Sequence, residues 1–176
     1  SIFAGISGSH FNPAVTIGFL STGRISAPLA LLYIVAQLVG ATIAALACKA
    51  IFPAVAVDAT QLGIPLPKVW VTDGVLMLTE FILTFLLMTA IFGTAVDNRA
   101  ISMKLGGFAV GLTVAFDILA GGNVTGASMN PARSFGPALV YGDFTKHGFY
   151  WLAPIAGAVV AALIFHHVLL EKEGNA

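Results

Sequence analysis

The feature that most restricts this chain is a repeated tripeptide. Asn12-Pro13-Ala14 and Asn130-Pro131-Ala132 stand 118 residues apart in matching flanks, "SGSHFNPAVTIGF" at residues 7–19 and "TGASMNPARSFGP" at residues 125–137. A second match follows each: "YIVAQLVGATIAAL" (33–46) and "YWLAPIAGAVVAAL" (150–163) agree at seven of fourteen positions, 117 residues apart. Alanine and glycine abound in apolar helices, so composition alone could produce the second match. It does not produce an Asn-Pro-Ala at the same offset. The chain is built from two related halves.

Composition says what the halves are made of. Of 176 residues, 58% are hydrophobic and 9% charged, against roughly 25% charged in a soluble domain. Crossing about 30 Å of hydrocarbon takes ~20 apolar helical residues, and residues 26–52, 73–95, 105–120 and 149–170 read as spans. Residues 53–72, with Pro53, Pro65 and Pro67, read as a loop. The expected class is an all-α integral membrane protein with four full spans and two re-entrant half-helices. In domain terms, residues 1–24 hold the first pore loop and half-helix, 25–121 three spans, 122–140 the second pore loop and half-helix, and 148–170 the last span. Three crossings per half is an odd number, so the halves are inverted relative to one another. Two spans precede the second box but only eleven residues precede the first. Two more spans are therefore expected upstream of Ser1, and these residues alone are expected to conduct poorly. Arg24, Arg99, Lys104 and Lys172 fall on one side of the membrane and Lys49, Lys68 and Lys146 on the other, which puts the first set in the cytoplasm. The membrane is read as a bacterial inner membrane or another cell membrane.

Several function classes drop out. Net charge is zero, which leaves no footprint for nucleic acid. Cys48 has no cysteine to pair with. No second ligand lies near His10, and no nucleophile–base set is visible, so neither metal, cofactor nor enzyme is expected.

The boxes carry the chemistry. Asparagine is a good helix N-cap and proline fits the first helical position. "NPAVTIGFLS" and "NPARSFGPAL" give about ten helical residues each, roughly 15 Å, too short to cross alone. Entering from opposite faces, two such half-helices meet mid-membrane at their N-termini. Each N-terminus carries about half a positive charge, which repels cations. The amides of Asn12 and Asn130 offer donors to a passing oxygen. Irregular backbone at membrane depth survives where it lines a watery cavity, so the carbonyls of Gly8, Ser9, His10, Gly126 and Ser128 are candidate acceptors along a pore. Arg133 lies one helical turn past Asn130, a costly place for a cation and a candidate site by default.

Two acids interrupt the spans. Glu80 reads as holding the second pore loop through backbone N–H groups, with a proton relay as the alternative. Asp117 reads either as an interhelical hydrogen bond or as a charge at the outer mouth that enriches cationic solutes.

With both boxes, their flanks and Arg133, the chain resembles the aquaporins, the major intrinsic proteins, over its whole length. The resemblance implies six spans plus two half-helices, a homotetramer, and a pore for water and small neutral solutes within the lipid bilayer that excludes protons and ions. It also implies a selectivity filter made of Arg133, Ala127 and Ile118, with a fourth position on the absent second span. Water-selective relatives commonly carry histidine where Ile118 stands, which implies a wider and less polar filter here. Glycerol-conducting relatives usually have aspartate at the place of Ser134 and a basic residue at Ala138, and tend to replace the aromatic pair Tyr150-Trp151. Isoleucine with a small loop residue is similar to plant vacuolar members, some of which pass ammonia or urea. A secondary transporter, or a structural membrane protein without transport, is the alternative function.

Overall fold

A computed structural model describes residues 7–97 and 106–170. The Arg99/Lys104 turn, Leu105 and the tail with Lys172 lie outside them. Every regular element among the described residues is helical.

The first element is the half-helix α1, Pro13–Ser21. Helix α2, Ala27–Ile51, starts behind Ser26 with a proline in its first turn and runs 25 residues, about 37 Å at 1.5 Å per residue. Residues 53–72, expected as a loop, hold a seven-residue helix α3, Ala54–Thr60, and a 3₁₀ turn, Gln61–Gly63. Pro53 both ends α2, whose C-cap Phe52 is extended, and opens the next helix. It sits at the N-cap of α3, where a missing N–H costs nothing. Helix α4, Asp73–Ile91, is capped by Thr72, whose hydroxyl accepts from Val75 N, and continues as a π turn, Phe92–Val96. Helix α5 is Gly106–Gly121 and the second half-helix α6 is Pro131–Tyr141. Helix α7, Phe149–Ile164, ends in a π turn, Phe165–Leu169. With their π turns, α4 and α7 reach 24 and 21 residues, so that with α2 three helices are long and apolar enough to cross a membrane, and α5 is a shorter apolar helix.

Packing follows the repeat. The half-helix of the first half, α1, lies on α7, the last span of the second half, while α6 lies on α2, the last span of the first. Glycine makes both approaches possible. A Cβ at Gly136 of α6 would stand 2.3 Å from the Ala41 carbonyl oxygen of α2. A Cβ at its repeat partner Gly18 of α1 would stand 2.6 Å from Met88 Cε of α4 and 3.3 Å from Ala158 O of α7. Spans α4 and α7 meet in the same way at Gly157. The outcome is a pair of short helices wedged end to end between long ones.

Candidate functional site

The two asparagines do two jobs each. Asn12 Oδ1 accepts from Ala14 N at 2.9 Å, and Asn130 Oδ1 accepts from Ala132 N at 3.0 Å and Arg133 N at 3.3 Å. These caps leave the amide nitrogens pointing away from their own helices. Asn12 Nδ2 donates to Met129 O at 2.7 Å, and Asn130 Nδ2 donates to Phe11 O at 3.0 Å. Each box is thus bonded to the residue just before the other box. The half-helix N-termini face each other across this crossed tie; α1 and α6, nine and eleven residues long, add to about 30 Å, the depth of the hydrocarbon.

The tie borders a cavity of about 380 Å³. Its polar lining comes from Ser9, Asn12, Ser128, Asn130 and Arg133, and its apolar lining includes Val15, Leu87, Ile91, Val110, Val114 and Ile118. Ala127 and Met129 close it on the loop side, and Phe11 also lines it. Of the three filter positions expected, the structure brings all three to this one cavity: Ile118 is half exposed, Ala127 is buried and Arg133 is open to the cavity.

Of the five carbonyl positions, Ser9 and Ser128 line the cavity, whereas Gly8, His10 and Gly126 lie outside its lining. The His10 carbonyl accepts from Gln37 Nε2 at 2.8 Å, and its ring packs on Phe19 and Tyr33. Gly126, at φ +86°, is pressed against Pro65, leaving no room for a side chain.

The loop before each Asn-Pro-Ala box has its own anchor. Glu80, fully buried, holds the second: Oε1 accepts from Thr125 Oγ1 at 2.6 Å and Ser128 N at 2.9 Å, and Oε2 from Met129 N at 2.8 Å. Tyr150 Oη adds a bond to Thr125 O at 2.6 Å. Gln37 holds the first, donating also to Thr16 Oγ1 at 2.9 Å. Neither Gln37 nor Met129 stood out in the sequence. The signal for Gln37 was a lone amide inside an apolar span, and for Met129 its position one residue before the second box.

Arg133 is clamped from outside the pore loops. Its Nη1 donates to Gly63 O at 2.8 Å, and Gln61, Leu62 and Gly63 all take left-handed φ values, 48°, 54° and 75°, to present that carbonyl. Among the described residues Asp117 does not make the interhelical hydrogen bond expected of it. It is buried, and its Oδ2 has no hydrogen-bond partner among them. No group of three potential metal ligands occurs among the described residues.

The chain is similar to known proteins. The family described as Major intrinsic protein matches residues 1–165. The chain is 43% identical to "Aquaporin TIP4-4" of Zea mays over 97% of its own length and 66% of that protein's. It is 43% identical to "Nodulin-26" of Glycine max over 93% and 58% of the two lengths. The chain therefore spans a little under two thirds of the length of these relatives. Among solved structures, the aquaglyceroporin from Plasmodium falciparum superposes with a TM-score of 0.80 at 25% identity, covering 94% of this chain and 75% of that one.

Proposed function

The chain belongs to the major intrinsic protein family, and from that membership we propose that it forms a passive transmembrane channel for water that also admits small neutral solutes and excludes protons and ions. It is an integral, multi-pass membrane protein. The observation that carries the reading is the crossed tie between the boxes. A side-chain amide has two N–H groups; Asn12 and Asn130 each give one to the opposite loop and keep one for the cavity. Two fixed donors at the meeting of two helix N-termini hold the oxygen of a passing water. Its hydrogens then point up and down the pore, and no proton relay crosses that point. The two dipoles, about half a positive charge each, oppose cations at the same place, and Arg133 adds a full charge.

The rest of the lining sets what else passes. At about 30 Å³ per water, the 380 Å³ cavity has room for on the order of ten. Ile118 and Ala127 add apolar lining to the cavity that Arg133 also lines, which favours solutes such as glycerol, urea or ammonia beside water. Leu31, Leu32 and Val39 of α2 are exposed on this chain, an apolar face that a homotetramer or lipid would cover.

The test uses the complete protein in liposomes. Osmotic shrinkage should be fast with a low activation energy, and a pH gradient should persist. Shrinkage no faster than in empty liposomes sinks the channel, and saturable flux driven by a second gradient would favour a transporter.

A further inference from the structure

One cluster outside the pore lining remains unexplained by water conduction. It sits where α6 ends and α7 begins. The ring of His147 meets Phe144 edge-on at 5.1 Å, Phe135 of α6 at 6.0 Å and Trp151 of α7 at 6.4 Å between centroids. Phe135 and Phe144 also touch, at 6.3 Å. Within this box Trp151 Nε1 donates to His147 Nε2 at 2.9 Å. Indole nitrogen is a donor only, so the imidazole must accept through a bare Nε2. The box as built therefore requires neutral histidine.

The surroundings favour that state. Burial pushes the His147 imidazole below its ordinary range. The charged groups near it are few: Asp143 and Lys146 belong to the same turn, Asp73 comes from the start of α4, α6 presents Phe135 and α7 presents Trp151. The charges near it already have partners in this arrangement. Asp143 Oδ1 accepts from Thr145 N at 2.8 Å, and Lys146 is paired with Asp73 at 2.5 Å. The first turn of α7 begins beside the ring, with Tyr150 N bonded to His147 O at 3.1 Å; a cation next to a helix N-terminus is repelled by the dipole.

Both walls of the box lead to the pore. Phe135 lies two residues beyond Arg133 on the same half-helix. Tyr150, next to Trp151, donates to Thr125 O, and Thr125 donates to Glu80. We propose that the Phe135–Phe144–His147–Trp151 box is a proton-operated latch: neutral His147 holds α6 against α7, and protonation releases the pair, displaces Arg133 and lowers water permeability.

The inference rests on the channel reading, and the experiment separates the two. Water permeability of the complete protein in liposomes is measured from pH ~8 to ~5, a window that brackets the ordinary histidine value of about 6.5. The wild type should lose at least about threefold on the acid side, with a midpoint below ~6.5. His147→Gln keeps a neutral acceptor for Trp151 and should hold its permeability throughout. A second measurement does not need conduction. With Trp70 and every tryptophan outside these 176 residues changed to Phe, Trp151 is the sole tryptophan left, and its fluorescence should titrate in the same window and cease to do so when His147→Gln is added. A His147→Gln channel that falls like the wild type, a flat wild-type profile, or a Trp151 signal that ignores pH overturns the latch. A protein that conducts at no pH sinks the channel reading, and the fluorescence titration then decides whether the box opens.

Discussion

Removing the Glu80 carboxyl should collapse the second pore loop. Three donors converge on this fully buried side chain: the Thr125 hydroxyl and the Ser128 and Met129 amides, at 2.6, 2.9 and 2.8 Å. Glu80→Ala leaves all three without an acceptor. A buried unsatisfied donor costs about 1–3 kcal/mol, so the substitution costs at least ~3 kcal/mol even if water enters the space left behind. For a chain of this size about 1 kcal/mol moves the melting temperature by roughly 2–4 °C, which sets an expected drop of at least ~6 °C. Glu80→Gln is the sharper probe. Its oxygen can still serve Thr125 and Ser128, but its amide nitrogen then faces Met129 N, replacing one charge-assisted bond worth about 1.5–3 kcal/mol with a donor–donor contact. Met129 is the residue whose carbonyl accepts from Asn12, so the disturbance reaches the crossed tie and water permeability should fall with stability. Thermal unfolding in detergent and stopped-flow osmotic shrinkage of the same preparations read the two effects. A Glu80→Gln protein with wild-type melting and wild-type permeability would refute the assignment of Glu80 as the loop's anchor.

Other substitutions test other parts of the site. Asp117 is buried with Oδ2 unpartnered among the described residues; Asp117→Asn should raise the melting temperature by a few degrees, since relieving an unpaired buried acid gains on the order of 1 kcal/mol or more, and an unchanged or lower value would mean that the acid has a stabilising role. Gly136→Ala puts a methyl group 2.3 Å from Ala41 O and should cost about 1–3 kcal/mol through overpacking, with permeability falling because Arg133 rides on the same half-helix; a wild-type melt would show that α2 and α6 separate freely. Ile118→His should narrow the filter opposite Arg133, cutting urea and glycerol permeability more than water permeability in the same liposomes, and equal loss of all three would remove Ile118 from the filter.

Much of this site was legible because the sequence repeats it. Asn-Pro announces a helix start by local chemistry alone, and the structure begins α1 and α6 at Pro13 and Pro131. Glu80 was visible as an acid in an apolar span with no other acid nearby to form a relay. What stayed hidden was carried by backbone atoms. The acceptors of the two asparagine amides are the carbonyls of Phe11 and Met129, and the acceptor of Arg133 is the carbonyl of Gly63; every residue has a carbonyl, so no residue type marks these. The partner of the His10 carbonyl, Gln37 Nε2, was hidden for the same reason. The helix α3 was missed because three prolines in twenty residues read as a loop, although Pro53 begins a helix.

The repeat also explains why the half-helices stay seated. A nine-residue helix such as α1 is too short to be stable by itself, since isolated helices under ~12–15 residues are marginal. Its stability must come from what it packs against. In a chain of two independent halves each short helix would pack on its own last span, and the two N-termini would be free to separate. Here α1 packs on α7 and α6 packs on α2, so each half supplies the support for the other's short helix. The glycines that permit the contact, Gly18 and Gly136, occupy the same place in the two copies. Separating the boxes would therefore break two helix packings as well as the bonds Asn12–Met129 and Asn130–Phe11. A double substitution checks this coupling. Gly18→Ala and Gly136→Ala act on opposite sides of the crossed tie. If the halves support one another, their combined cost departs from the sum of the single costs by at least ~0.5 kcal/mol, the range seen for coupled sites. Additivity within about 0.3 kcal/mol would mean that the two short helices are seated independently and that the tie between the asparagines is held by the pore loops alone.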